Sequence, residues 1–249
     1  MRNWLWIVSS CLSMTALAQV SDLNKGNAIL LNMTYSGQLP GGDLSARFGP
    51  SMSVGGGLEF MAAKGNFIIG VEGFYLFGTE VREDVIAPLR TPEGFIIGND
   101  KSYAEIELRQ RGLYAGLLIG KLFALSNRNP RAGIRATLSA GILQHKIRIQ
   151  EDPFRVVPQL TGAYLKGYDR LSNGLAFNQF LGYQMLSTDK RINFFAGIEC
   201  TQAFTRNRRS FNFDTRRSDT EPRFDLLFGI RAGWILPFYV GQEAREIYY

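Results

Sequence analysis

His145 is the only histidine in a chain of 249 residues, so acid–base chemistry near neutral pH would have to be organised around it or around displaced carboxylates. A hydrolytic site would place a serine or threonine hydroxyl within hydrogen-bond reach of that base. The surrounding stretch, LQHKIRIQE, contains no serine, and Ile147 occupies the position two residues on where an H-x-S spacing would put one. His145 reads as a structural residue near a strand end, and no catalytic residue is expected. Metal chemistry finds no better footing, because one histidine and Cys200, the one cysteine outside the leader, cannot supply the usual nitrogen and sulfur ligands. Asp84, Asp100, Asp152 and Asp169 could hold calcium only by converging, and solvated charge is the simpler reading of all four. No metal or cofactor is expected.

The remaining chemistry is ionic. The stretch TRNRRSFNFDTRRSDTEPR carries Arg206, Arg208, Arg209, Arg216, Arg217 and Arg223 against Asp214, Asp219 and Glu221. Guanidinium groups grip phosphate and carboxylate bidentately, so lipopolysaccharide phosphates or an acidic partner are candidate contacts. The competing reading is that these charges pair within the loops. The net charge of +6 has no lysine-rich tract behind it, and nucleic acid is not an expected partner of an exported chain.

Export is indicated by the first residues. MRNWLWIVSSCLSMTALAQV has Arg2, an apolar run and Ala16-Leu17-Ala18 ahead of Gln19, the pattern of a secretory signal peptide over 1–18. The apolar run before Cys11 is too short for a lipoprotein box. No other run is long and apolar enough for a membrane helix. A mean hydropathy of -0.07 is compatible with a membrane barrel, whose strands are apolar on one side only.

Period-two segments bounded by turn residues predict eight strands, over 27–37, 51–61, 66–77, 103–123, 132–146, 175–186, 192–204 and 223–238. Most exceed an ordinary soluble strand and suit a tilted bilayer crossing. Short turns at 62–66, 124–131 and 187–191 alternate with long polar connections at 38–50, 78–102, 147–174 and 205–222. That alternation predicts an all-β fold, an eight-stranded antiparallel up-and-down transmembrane β-barrel over 19–238, with a short periplasmic tail at 239–249.

Alternation alone does not say which row faces lipid. In RFDLLFGIRAGWILPFY one row holds Phe224, Phe228, Ile230, Trp234, Leu236 and Phe238, the other Asp225, Gly229, Arg231 and Gly233. Across the strands the minority row is small residues with a few charges: Glu59, Glu72, Arg135, Glu199, Asp225 and Arg231. A soluble barrel would be expected to fill that row with long solvated groups. The sparse charges instead suit a narrow lumen in which they must pair, so the apolar row is assigned to lipid. Two exceptions stand out: 113–123 is apolar on both faces, and Gln179 interrupts the outward row of the sixth strand. An inside-out, lipocalin-like soluble barrel is the alternative.

On these features the chain resembles the small eight-stranded outer-membrane barrels of the OmpA and OmpX type. Arg231-x-Gly233-x-x-Leu236-x-Phe238 looks like the terminal signal read by the barrel-assembly machinery, although the chain continues beyond the aromatic. The resemblance implies outer-membrane location, contact with membrane lipid and lipopolysaccharide, and a non-enzymatic structural, adhesion or partner-docking role through the long loops. A second resemblance, to the PorT and PorG kind of barrel that accompanies type IX secretion and gliding machineries, implies a role in an envelope secretion complex. Lipid A-modifying barrels are the third alternative, disfavoured by the surroundings of His145.

Overall fold

The computed structural model describes residues 26–187 and 192–240. The chain folds in the order β1 (Asn27–Gly42), α1 (Asp43–Arg47), β2 (Ser51–Met61), β3 (Phe67–Gly78), β4 (Ile96–Ile97), β5 (Tyr103–Ala104), β6 (Glu107–Ala124), β7 (Ala132–Gln150), β8 (Ser172–Leu186), β9 (Asn193–Asn207) and β10 (Pro222–Val240). Strands β1, β2, β3, β6, β7, β8, β9 and β10 form one antiparallel ring, closed where β10 pairs with β1 from Asn27↔Val240 to Gly42↔Asp225. Closure leaves no unpaired edge, which a sheet surrounded by hydrocarbon requires.

The outward rows are apolar. Met33, Leu117, Ile198, Ile230 and Trp234 are exposed on the outside, while Asn32, Glu59, Arg135, Ser139, Asn178, Glu199 and Arg231 are buried inside. Phe224, Phe228 and Trp234 therefore point away from the lumen, as the lipid assignment requires.

The lumen is filled in three layers. At the short-turn end Leu30, Met61, Ile68, Leu118, Leu122, Phe180, Phe195 and Ile235 form an apolar plug. Leu118 and Leu122 explain why 113–123 is apolar on both faces: its inward row belongs to this plug. A largely polar layer fills the middle, with a small apolar cluster of Phe74, Tyr114, Leu143, Ala176 and Ala203 beside it. Above it, at the long-loop end, Leu44, Phe48, Val85, Ile86, Ile96, Ile147, Val157 and Leu160 build a second apolar core.

The structure departs from the sequence pattern at that upper end. The expected fourth strand, 103–123, is interrupted: Tyr103–Ala104 pairs with Ile96–Ile97 in a separate hairpin, and the barrel strand starts at Glu107. Ala104 is drawn into the cap core, with Ile106 packed against it, so their alternation serves the cap. Strands β1, β7 and β9 run past their expected ends, and β10 runs past Phe238 to Val240. On β7 the polarity inverts beyond His145: Ile147 and Ile149 turn inward while Lys146, Arg148 and Gln150 turn out. That stretch stands above the apolar belt, where the outside is polar and the cap core lies inside. The signal expected at 1–18, most of the tail at 239–249 and most of the third short turn lie outside the described residues.

Candidate functional site

Four long connections converge at one end of the barrel. Gly49 donates its backbone N–H to the Glu80 carbonyl at 3.1 Å and Arg82 to that of Arg47 at 2.8 Å, joining the first loop to the second. Asn99 donates to Val156 at 2.9 Å, joining second to third, and Phe213 to Gly167 at 2.9 Å, joining third to fourth. With the apolar core beneath them, these bonds make the loops one ordered cap.

Ion pairs tie the cap together. Arg47 donates from Nε to Glu83 Oε2 at 2.7 Å, and Arg170 donates from Nε to Glu83 Oε1 at 2.9 Å and from Nη2 to Asp214 at 2.5 Å. Burial pushes the Glu83 carboxyl up, but the two guanidinium groups more than offset this and hold it below the usual glutamate value. Burial, reinforced by nearby Arg223 and Arg170, pulls the Arg47 guanidinium down despite its bond to Glu83.

Arg206, Arg208, Arg209, Arg216 and Arg217, read from sequence as an anion- or partner-binding loop, have different surroundings. Arg209 forks onto Asp169 at 2.8 and 2.5 Å, and that hydrogen bond raises its pKa. Arg208 donates to Asn173 Oδ1 at 2.5 Å. Arg206 lies on β9 rather than in a loop and faces outward. Arg208, Arg216 and Arg217 stand exposed on the fourth loop itself, Arg208 with its bond to Asn173. The internal-pairing reading thus holds for Arg209, while Arg206, Arg216 and Arg217 stay available.

The loop aspartates are engaged locally. Asp84 holds Arg90 at 2.7 Å, and Asp152 accepts backbone N–H groups from Phe154 and Glu105, which lower its pKa. Among the described residues no three metal-ligating side chains cluster.

Below the cap, the six interior charges fall into three groups. Arg231 bridges two strands' carboxylates, donating to Glu199 Oε2 at 2.7 Å and to Glu72 Oε2 at 3.0 Å, with a third bond to Asn178 Oδ1 at 2.7 Å. Arg135 donates to Glu59 at 2.6 Å and to Gln184 at 2.9 Å. Asp225 stands apart, accepting from Thr205 at 2.5 Å and from His145 Nε2 at 2.8 Å. Alternation identified the inward row but not which groups in it would meet. Tyr114 and Ser139 complete a relay: Ser139 donates to Glu72, so Tyr114 must donate to Ser139, at 2.6 Å.

His145 is wholly buried beside the Phe48 ring, whose centroid lies 5.8 Å away. With Asp225 ionised, Nε2 carries the proton, and Nδ1 has no hydrogen-bond partner among the described residues. Thr205, the hydroxyl in this group, bonds to the carboxylate rather than to the imidazole. The arrangement orients His145 without giving it a nucleophile to activate.

In the assembly motif, Arg231 and Gly233 face in while Leu236 and Phe238 face out. Gly233 is required by a close approach: a Cβ there would sit 2.5 Å from Phe195 Cε1.

A closed eight-stranded ring, an apolar outer belt and a lumen filled by side chains define a membrane-spanning β-barrel. The architecture is that of the small outer-membrane barrels of the OmpA and OmpX type. No family model matches the chain, and no curated protein matches it. Among solved structures it is similar to Ail, the attachment invasion locus protein of Yersinia pestis, at 11% identity over 85% of this chain and 99% of that chain, TM-score 0.36. It is also similar to Neisserial surface protein A, at 9% identity over 85% and 99%, TM-score 0.42. The outer-membrane protein OprG of Pseudomonas aeruginosa is similar at 12% identity over 86% and 97%, TM-score 0.35. These are likenesses of fold.

Proposed function

We propose that the protein is a non-catalytic outer-membrane barrel, exported by its signal peptide, whose ordered loop cap docks a macromolecular partner outside the cell. The observation that carries this reading is the exposure of large apolar side chains on the cap. Phe154 is 90% exposed, and Phe95, Tyr103, Tyr164, Phe211 and Phe213 are also solvent-facing although the cap has its own buried core. Aromatics displayed on a rigid frame are the usual anchors of an interface, because ordering them on binding costs little entropy.

A pore is disfavoured by the two apolar layers that close the lumen above and below its polar middle. Catalysis is disfavoured by the burial of His145 and its lack of a hydroxyl partner. Photo-crosslinking groups placed at Phe154 and Tyr164 on whole cells test the docking reading. Discrete protein adducts from both positions are expected, with none from a lipid-facing control at Leu117. Adducts to other envelope proteins of the same cell would turn the reading to a secretion accessory, and no adducts at all would refute docking by the cap.

A further inference from the structure

The wall of the barrel carries a feature that cap docking does not use. On the outer face of β6 and β7, Arg111 stands directly opposite Lys146, and Arg109 directly opposite Arg148. Like charges directly opposed across a ladder destabilise it. Glu107 answers Arg109 at 3.0 and 2.5 Å, and Arg111 donates to the Gln110 carbonyl at 2.7 Å. Lys146 and Arg148 have no hydrogen bond or ion pair among the described residues. Four cations thus face one carboxylate on a surface that the fold alone would not favour, which calls for an external anion.

The position of the cluster says where the anion comes from. Next below on β6 come Leu113, Ala115, Leu117 and Ile119, and on β7, after Gln144, come Ile142, Ala140 and Leu138, all outward. The cluster begins where the wall changes from apolar to polar on its outer side, the level of lipid headgroups. Beneath it, beyond Leu113 and Gln144, lies an open depression of about 550 Å³. Its middle is small, since Gly56 pairs with Gly73 and Gly73 with Ala115 in register across three strands, and larger apolar groups border it: Ile142, opposite Ala115 on β7, with Val71 and Leu117. Arg111 and Ala115 are four steps apart along β6, roughly 13 Å at about 3.3 Å per residue. A headgroup gripped at the cluster would therefore lay an acyl chain along the depression.

We propose that Arg109, Arg111, Lys146 and Arg148 clamp the phosphoryl groups of an anionic lipid of the surrounding leaflet, with one acyl chain seated in the groove below. The ligand class is a phosphorylated, multiply acylated lipid, the chemistry of the lipopolysaccharide anchor. This site is separate from the cap and stands whether or not the cap docks a protein.

The full chain, refolded into phosphatidylcholine vesicles doped with lipid A, tests this by native mass spectrometry after detergent exchange. The expected result is one lipid A retained per barrel. The triple variant Arg111→Gln, Lys146→Gln, Arg148→Gln should reduce retention about 100-fold, taking roughly fivefold per cation near an anionic surface. The pair Lys101→Gln, Lys166→Gln on the second and third loops should retain lipid as wild type does. Ala115→Leu, which fills the groove but keeps every charge, should weaken retention by a smaller factor. A heat-modifiable gel shift establishes that each variant is folded. Unchanged retention in a folded triple variant overturns the clamp. Displacement of lipid A by an equal concentration of inorganic phosphate would show a phosphate site, not a lipid site, and overturn the lipid assignment.

Discussion

Replacing Arg231 by methionine should destabilise the barrel by about 3 kcal/mol, near the low end of the roughly 3–5 kcal/mol lost when one partner of a buried ion pair is removed. The side chains of Glu199 and Glu72 are 1% and 8% exposed, so both carboxylates would be left charged in the lumen. The low end applies because neither is stripped of all its donors. Gln38 still donates to Glu199 at 2.7 Å, and Ser139 still donates to Glu72. At about 1.4 kcal/mol per decade the folded-to-unfolded ratio falls roughly 150-fold. The triple variant Arg231→Met, Glu72→Gln, Glu199→Gln removes the stranded charges with the cation and should lie within about 1.5 kcal/mol of wild type. Urea titration of barrels folded in phosphatidylcholine vesicles, read by the heat-modifiable gel band, measures both. Refolding without the assembly machinery keeps the result clear of Arg231's place in the terminal motif. A single variant within about 1 kcal/mol of wild type, or a triple variant as unstable as the single, would refute the reasoning. The first would mean that water reaches the polar layer past the plug and cap, the second that the loss is one of packing and hydrogen bonding and not of stranded charge.

Gly233→Ala should cost about 1–3 kcal/mol through contact with the Phe195 ring, and Phe195→Leu in the same chain should recover most of it in the same titration. Because Glu83 titrates lower in the folded cap than its ordinary value of 4.5, its contribution is complete above that value and is lost as the pH falls through the lower folded one. Protease nicking of the loops should therefore rise on acidification, and Glu83→Gln should flatten that rise while making the cap looser at neutral pH. Cys200 faces outward beside Gln179 and Phe228, so in intact membranes it should react with an apolar maleimide and resist a charged one. Equal labelling by both would place β9 in water and favour the inside-out barrel.

Strand number, the alternation of short and long connections and the identity of the lipid-facing row were legible in sequence. Each is local: side chains alternate every two residues, and turn residues mark the ends. The inward position of Glu59, Glu72, Arg135, Glu199, Asp225 and Arg231 followed from the same alternation. What the alternation could not carry was pairing across the lumen. Arg231 meets Glu72 at a separation of 159 residues and Arg135 meets Glu59 at 76, and only the closure and stagger of the ring bring them together. The opposed cations of β6 and β7 likewise exist only through register, since Arg111 and Lys146 belong to different strands. The cap was hidden for another reason. Its core residues, Val85, Ile86, Ile96, Val157 and Leu160 among them, follow no period and read singly as loop residues. They become a core because four loops on one rim are forced together, and burying their scattered apolar groups is the only way to remove them from water.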